Sequence, residues 1–166
     1  MSTTNPECTR ISDQIRRAFE GKAWHGPSLL ETLEGITPAQ AGAKPLAEAH
    51  SIWELVLHIE GWTRAAAAAV DGTPMPEWPM KEASVFLDWP PVPAPTNEAW
   101  QAGVASLLAA GRALAERVSK YPDLHLPHTV PGRKYDFYFL FHGIVQHSLY
   151  HGGQIALLKK AVQAPA

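Results

Sequence analysis

Apolar residues recur at helical spacing in four long segments of this chain, whereas the apolar–polar alternation that marks strands is scarce. Ser51 and Glu54 in "SIWE" have the spacing of a capping box, and Thr96 precedes another apolar run as a predicted N-cap. Four principal helices without strands predict an all-α four-helix bundle, in a single domain that spans residues 1–166. The predicted helices cover about residues 9–22, 51–70, 97–120 and 137–161.

Shorter elements are predicted between the first two long helices. Pro27 is typical of a helix start, and Gly35 is typical of a residue that ends a helix. Thr37 and Gln40 have the spacing of a further capping box, which predicts a short capped turn.

A long loop is predicted between the second and third long helices. Residues 72–95 hold seven of the fifteen prolines, which favours a segment without regular structure. Loops of this length in a compact domain are usually functional or wrap the body. Its large apolar side chains predict that this loop packs onto the helices; they are Trp78, Phe86, Leu87 and Trp89.

Composition excludes several classes of protein. The formal charge of −2, with scattered Lys and Arg, argues against nucleic acid and anionic membrane as partners. The start of the chain lacks the apolar stretch of a signal peptide, and the small-apolar run at 65–70 is too short to span a bilayer. The single cysteine, Cys8, excludes an internal disulfide. We therefore expect a cytoplasmic protein.

Two histidines one helical turn apart, His147 and His151, suggest a candidate site in "HSLYHGG". Among eight histidines the spacing alone is weak evidence, because roughly 0.4 such pairs arise by chance. Their direction is more informative. At about 100° per residue, both side chains lie within the apolar stripe of the last helix, with Ile144 and Ile155. Two buried imidazoles there need either several hydrogen-bond partners or one cation.

A third imidazole is available from the second long helix. His58 lies on a face of small and apolar residues, and an antiparallel neighbour can bring it opposite His147 and His151. Three neutral imidazoles with open positions suit zinc, nickel, iron or copper. Helical geometry permits this site but leaves open the alternative of core histidines satisfied by hydrogen bonds.

The other histidines are weaker candidates. His25 lies at a helix break in "AWHGPS", where loops deliver side chains into clefts, and is predicted to line a pocket or to be structural. His50 fits a local contact at a helix start, while His142 faces away from His151 on the helical wheel. His125 and His128 occupy a proline-bounded loop and are expected at the surface.

The segments "AWHGPSLLETLEGI", "HSIWELVLHIEGW" and "HGIVQHSLYHGGQIALLKKA" resemble the DinB-like (YfiT-like) superfamily. The most specific part is the H-x-x-x-H-x-G-Q ending, with a lone histidine in the second helix. The resemblance implies a four-helix bundle, often a homodimer, that binds a divalent metal through His58, His147 and His151. Zinc or nickel is the expected metal, with iron as an alternative.

Function follows from the resemblance only in outline. Some relatives transfer low-molecular-weight thiols such as bacillithiol, or use mycothiol to isomerise maleylpyruvate, and others are called hydrolases. The resemblance thus implies a metal-dependent thiol S-transferase or hydrolase that acts on a small molecule. The transferase would use a low-molecular-weight thiol as its cosubstrate. The alternatives are a metal- or ligand-binding stress-response module without turnover, and a bundle whose histidines are structural.

Three further residues are predicted around the metal. Glu54 lies one turn before His58 on the same face, so it is a candidate base, although the capping box alone also explains it. Gln154 nearly eclipses His147 two turns later and could orient a ligand imidazole or bond across the bundle. Tyr150 is a weaker candidate for contact with substrate.

Overall fold

The computed structural model describes residues 6–77 and 87–164, and all of their regular elements are helices. The expectation of an all-α chain is confirmed for these residues. The described parts of the predicted loop, residues 72–77 and 87–95, contain no helix or strand. The helices are α1 Pro6–Glu20, α2 Leu29–Leu33, α3 Pro38–Gly42, α4 Ile52–Val70, α5 Asn97–Lys120 and α6 Phe137–Gln163, with a 3-10 turn at Asp123–His125.

Side chains close to each start determine where the internal helices begin. Both predicted capping boxes are present, Thr37 with Gln40 at α3 and Ser51 with Glu54 at α4. Pro27, the predicted helix start, lies just outside α2. Ser28 caps this helix instead and forms with Glu31 a third capping box, which was not predicted. Each cap satisfies first-turn N–H groups that have no partner within the helix. Single side chains cap the other two: Thr96 accepts from Ala99 N at α5, and Asp136 accepts from Phe139 N at α6.

Helix α1 is capped by a residue remote in sequence. The Asp123 carboxylate accepts hydrogen bonds of 2.9 Å from the backbone N–H groups of Glu7 and Cys8. A carboxylate at a helix N-terminus satisfies free donors and interacts favourably with the helix dipole. This contact ties the start of the chain to the turn that follows α5.

The four long helices pack around one apolar core. Helices α1 and α4 each contact both α5 and α6. Gly111 allows α5 to approach α1 closely, since a Cβ atom there would collide with the ring of Phe19. Between α4 and α5, the Trp53 and Trp100 rings meet edge to face at 5.2 Å. The α4–α6 contact brings the middle of one helix against the middle of the other.

The outer apolar face of α4 is covered by the chain itself. Trp53, Val56 and Ile59 point away from the His58 face of α4, an apolar pattern that suits either a dimer interface or a face covered by the long loop, and all three are fully buried. Helix α5 covers Trp53, whose Nε1 lies 3.6 Å from the position of a Cβ on Gly103. These residues therefore provide no surface for a second copy, and the homodimer stays a prediction without this support.

None of the described helices combines the length and hydropathy needed to cross a membrane.

Candidate metal centre

Three histidine rings from two helices converge at the α4–α6 contact. His58 comes from the middle of α4, and His147 and His151 lie one turn apart on α6. One ring nitrogen of each lies within 4.8 Å of the other two, and the Nε2 atoms of His58 and His147 are 2.9 Å apart. The ring centroids are separated by 4.5 to 4.9 Å. The structure thus brings together the three histidines that the sequence proposed.

Hydrogen bonds on the opposite side of two rings select the tautomer. The Nδ1–H of His58 donates to the backbone oxygen of Asp88 at 2.9 Å, and the Nδ1–H of His151 donates to Gln154 Oε1 at 2.7 Å. A neutral imidazole that donates from Nδ1 keeps its lone pair on Nε2. Both Nε2 lone pairs are therefore available inside the cluster, which is how metal-binding histidines are usually oriented.

Burial keeps the cluster uncharged. His58 and His151 are buried and His147 is partly buried. Desolvation, together with the smaller effect of proximity to His151 and His58, lowers the pKa of His147 to about 3. Desolvation also lowers the pKa of His58 and of His151, against the opposing effect of their hydrogen bonds. All three rings are neutral at pH 7, the form that binds metal.

The donor set fits a divalent transition metal. Three neutral imidazole nitrogens within one small volume are a common ligand set for zinc, nickel and iron. Among the described residues, the buried Nδ1 atom of His147 has no hydrogen-bond partner, which is costly for a purely structural core histidine. The three histidines could hold one metal ion.

The proline-rich loop covers one side of this cluster. The Trp89 ring stacks on His58 at 4.0 Å and on His50 at 3.4 Å, with interplanar angles of 7° and 4°. The Asp88 carboxylate accepts from Trp62 Nε1 at 2.7 Å and lies 3.2 Å from His58 Nδ1. The loop therefore packs onto the helices through Trp89 as expected.

The other loop residues behave differently or lie outside the described residues. Leu87 is exposed, while Trp78 and Phe86 belong to the part that the structure does not describe. Sequence reasoning missed the role of Asp88 altogether. The only signal was an acidic residue beside a tryptophan in "LDWPP", and nothing in that pattern indicates contact with His58.

A cavity of about 490 Å³ opens beside the histidines. Its wall is mainly apolar and aromatic, with Met75, Phe139, Leu140 and Ile144 among the lining residues. A volume of this size suits a small organic molecule. Tyr150 is exposed, lines the cavity and meets the His151 ring edge to face at 5.0 Å, and its contact with substrate stays a prediction.

Glu54 lies near the cluster in sequence, but its carboxylate is engaged elsewhere. One oxygen accepts from the Ser51 backbone N–H at 2.6 Å, and the other accepts from Lys44 Nζ at 3.0 Å. Burial raises the pKa of Glu54, but these hydrogen bonds outweigh that effect and lower it overall. Glu54 does not line the cavity beside the histidines. The role of Glu54 as a base stays a prediction, and its role in the structure is to cap α4.

The remaining candidates lie away from the cluster. His25 is exposed and lines a different cavity of about 220 Å³, next to Leu29 and Gly152. His125 and His128 stack on each other at 4.6 Å in the loop before α6, and His142 contacts Tyr138.

The single cysteine is placed for structure. Cys8 is buried in the core, and burial together with the nearby Asp123 carboxylate raises its pKa to about 12. Its thiol is therefore protonated and a poor nucleophile at neutral pH.

Comparison with known proteins agrees with this geometry. A family model described as the DinB superfamily matches residues 23–155, a span that contains all three histidines of the cluster. No curated protein and no solved structure shows significant similarity to the chain. With most of its length matched and the three histidines within that match, the chain belongs to the DinB superfamily.

Proposed function

We propose that this protein is a metal-dependent enzyme that acts on a small molecule. The observation that carries the proposal is the convergence of three neutral imidazoles beside a cavity of about 490 Å³. His58, His147 and His151 would hold a divalent transition metal, with zinc or nickel expected and iron as an alternative. The four long helices would form the four-helix bundle of the superfamily, in one domain over residues 1–166.

Thiol S-transfer or hydrolysis are the reactions that suit this centre. A divalent metal with open positions lowers the pKa of a coordinated water or thiol, and so supplies a nucleophile near neutral pH. A low-molecular-weight thiol would be the cosubstrate of the transferase. The apolar wall would hold the other reactant and exclude water from the reacting atoms.

The residues of this chain orient the centre and shield it. The Asp88 backbone oxygen and Gln154 Oε1 hold the rings of His58 and His151 at their Nδ1 atoms. Trp89 covers the face of the His58 ring through its stacking contact. Tyr150, beside His151 at the cavity, would contact bound substrate. Each of these contacts reduces the freedom of a ligand imidazole or of the substrate.

One observation favours the alternative of a binding module without turnover. Within the described residues, Asp88 is the only carboxylate that lines the cavity, and it accepts from Trp62. Glu54 is engaged as a cap. A general base of the usual carboxylate type is therefore not free at the centre, and a protein that only holds a metal and a small ligand does not need one.

Two measurements test the proposal. Metal analysis of protein purified without a histidine tag should give one ion per chain in the wild type and none in His147→Ala, with His128→Ala as a matched control that keeps the metal. Thiol-transfer and hydrolysis assays with several thiols and electrophiles are then compared across the same variants. Activity that survives in His147→Ala refutes the metal mechanism, and silence of the metal-loaded wild type across the panel favours the binding module.

A further inference from the structure

Arg133 also lines the cavity that the histidines open into. The residue is partly buried, and in the part of the chain that the structure describes its buried Nε atom has no hydrogen-bond partner. Among residues 6–77 and 87–164, no carboxylate forms an ion pair with it. Leaving a guanidinium donor buried and unpaired costs free energy, so its presence in a mainly apolar wall requires a reason.

The turn that carries Arg133 is tightly held. Gly132 adopts a φ of 76°, and a Cβ there would lie 3.1 Å from the backbone oxygen of Met75. On that same side the Met75 N–H donates to Pro131 O at 2.9 Å. The Arg133 N–H closes the turn by donating to Val130 O at 3.0 Å. A glycine is needed at 132 both for the positive φ and for the close approach.

Pairing on both sides of this turn completes the support. The Val130 N–H donates to Tyr135 O, and Thr129 and Asp136 form an isolated antiparallel bridge. Asp136 is also the N-cap of α6, the helix that carries His147 and His151. The position of Arg133 is thus connected to the metal ligands through a short and well-ordered segment of backbone.

We propose that Arg133 binds the carboxylate of a small organic acid whose other end reaches the histidine centre. The inference rests on the proposed function, because it names the class of substrate for that same site. A guanidinium presents its N–H donors in a planar fork that matches the two oxygens of a carboxylate. The apolar part of the cavity lining, with Met75, Phe139 and Ile144, would hold a hydrocarbon or aromatic body.

Charge matching favours a carboxylate over a phosphate. Arg133 is the only lysine or arginine that lines this cavity among the described residues. The Asp88 carboxylate also lines the cavity and accepts from Trp62, so beside one cation and one anion a bound monoanion leaves less uncompensated negative charge than a phosphate dianion does.

The experiment measures binding by calorimetry in metal-free protein, with phenylacetate as the probe and phenylacetamide as its neutral match. The wild type should bind phenylacetate about ten-fold more tightly than the amide, because a hydrogen bond to a charged group is lost in the latter. Arg133→Gln should remove this preference, and Arg133→Lys should retain part of it, since lysine keeps the charge but not the fork. Lys134→Gln, a charge change at the adjacent exposed residue, should leave it intact.

Several outcomes would overturn the inference. They are equal affinity of the wild type for acid and amide, no saturable binding of phenylacetate at millimolar concentration, an equal loss in Lys134→Gln, or tighter binding of phenylphosphonate than of phenylacetate. Because the acid–amide comparison uses the wild type, it stands even if Arg133→Gln does not fold.

Metal content of the same preparations separates this inference from the proposed function. Zinc bound at one ion per chain together with no dependence on Arg133 refutes the carboxylate site alone. Binding of phenylacetate that depends on Arg133 in a protein unable to hold zinc refutes the metal proposal alone and supports the carboxylate site.

Discussion

Replacing His147 by leucine should abolish the thermal stabilisation that zinc gives the protein while leaving the metal-free protein nearly as stable as before. The substitution removes the buried Nδ1 atom, which has no hydrogen-bond partner within residues 6–77 and 87–164, and this is a gain of about 1–3 kcal/mol. It also removes the His147 nitrogen that lies 2.9 Å from His58 Nε2. The loss of this partner leaves His58 Nε2 unsatisfied and costs a similar amount of free energy. The two effects oppose each other, so the metal-free change should stay within about 2 kcal/mol.

The metal-bound state behaves differently. A ligand at about one thousand times its dissociation constant stabilises a protein by about 4 kcal/mol. For a chain of 166 residues, an unfolding entropy of about 2.1 cal/mol/K per residue makes 1 kcal/mol equivalent to about 3 °C. The wild type should therefore gain about 12 °C in melting temperature from zinc at that excess.

Differential scanning calorimetry with chelator-buffered zinc measures both quantities. His128→Leu, which changes an exposed histidine outside the cluster, serves as the control and should keep the full zinc shift. The reasoning is refuted if zinc does not raise the melting temperature of the wild type, or if His147→Leu retains the shift.

Three further predictions test separate parts of the account. The pKa of His147 falls from 6.5 in the unfolded chain to about 3 in the folded protein, so the unfolded state binds more protons between these values. The free energy of unfolding of the metal-free wild type, measured by urea titration, should therefore fall relative to that of His147→Leu as the pH drops from 6.5 towards 3. The same pH dependence in both proteins would contradict this. Gln154→Ala should weaken zinc binding about 10- to 100-fold in competition titrations, and Gln146→Ala, an exposed change on the same helix, should not. Gly111→Ala should destabilise by about 1–3 kcal/mol through overpacking, whereas Gly153→Ala, with open space around its Cβ, should be neutral or stabilising by thermal denaturation; equal effects would refute the packing argument.

Helix positions were predictable because their signals are local. The Ser51–Glu54 box and the Thr96 cap mark the starts of α4 and α5 within a few residues of sequence. The last helix was placed at about residues 137–161 and extends over Phe137–Gln163. Asp123, by contrast, caps α1 from more than one hundred residues away, and no local pattern encodes such a contact.

The three histidines were predictable for a related reason. Helical geometry placed His147 and His151 on one inward face, and the resemblance to the superfamily singled out His58. The surrounding groups were not predictable, because a loop brings them. Asp88 and Trp89 reach His58 only once the proline-rich segment has folded over α4, and the position of Arg133 depends on contact between its turn and Met75.

The outer face of α4 shows a limit of pattern reading. A helix that is apolar nearly all round is predicted to be buried, but its sequence pattern does not indicate which other segment covers it. The pattern around Trp53 fits a second copy or the long loop as the cover, whereas α5 covers this residue in the structure.

The most direct test of the central claim is X-ray absorption spectroscopy at the zinc edge of zinc-loaded, tag-free protein. The account predicts three imidazole ligands with zinc–nitrogen distances of about 2.0–2.1 Å, reduced in number by His58→Ala or His151→Ala. A spectrum with at most one imidazole, or one that His58→Ala and His151→Ala both leave unchanged, would contradict it.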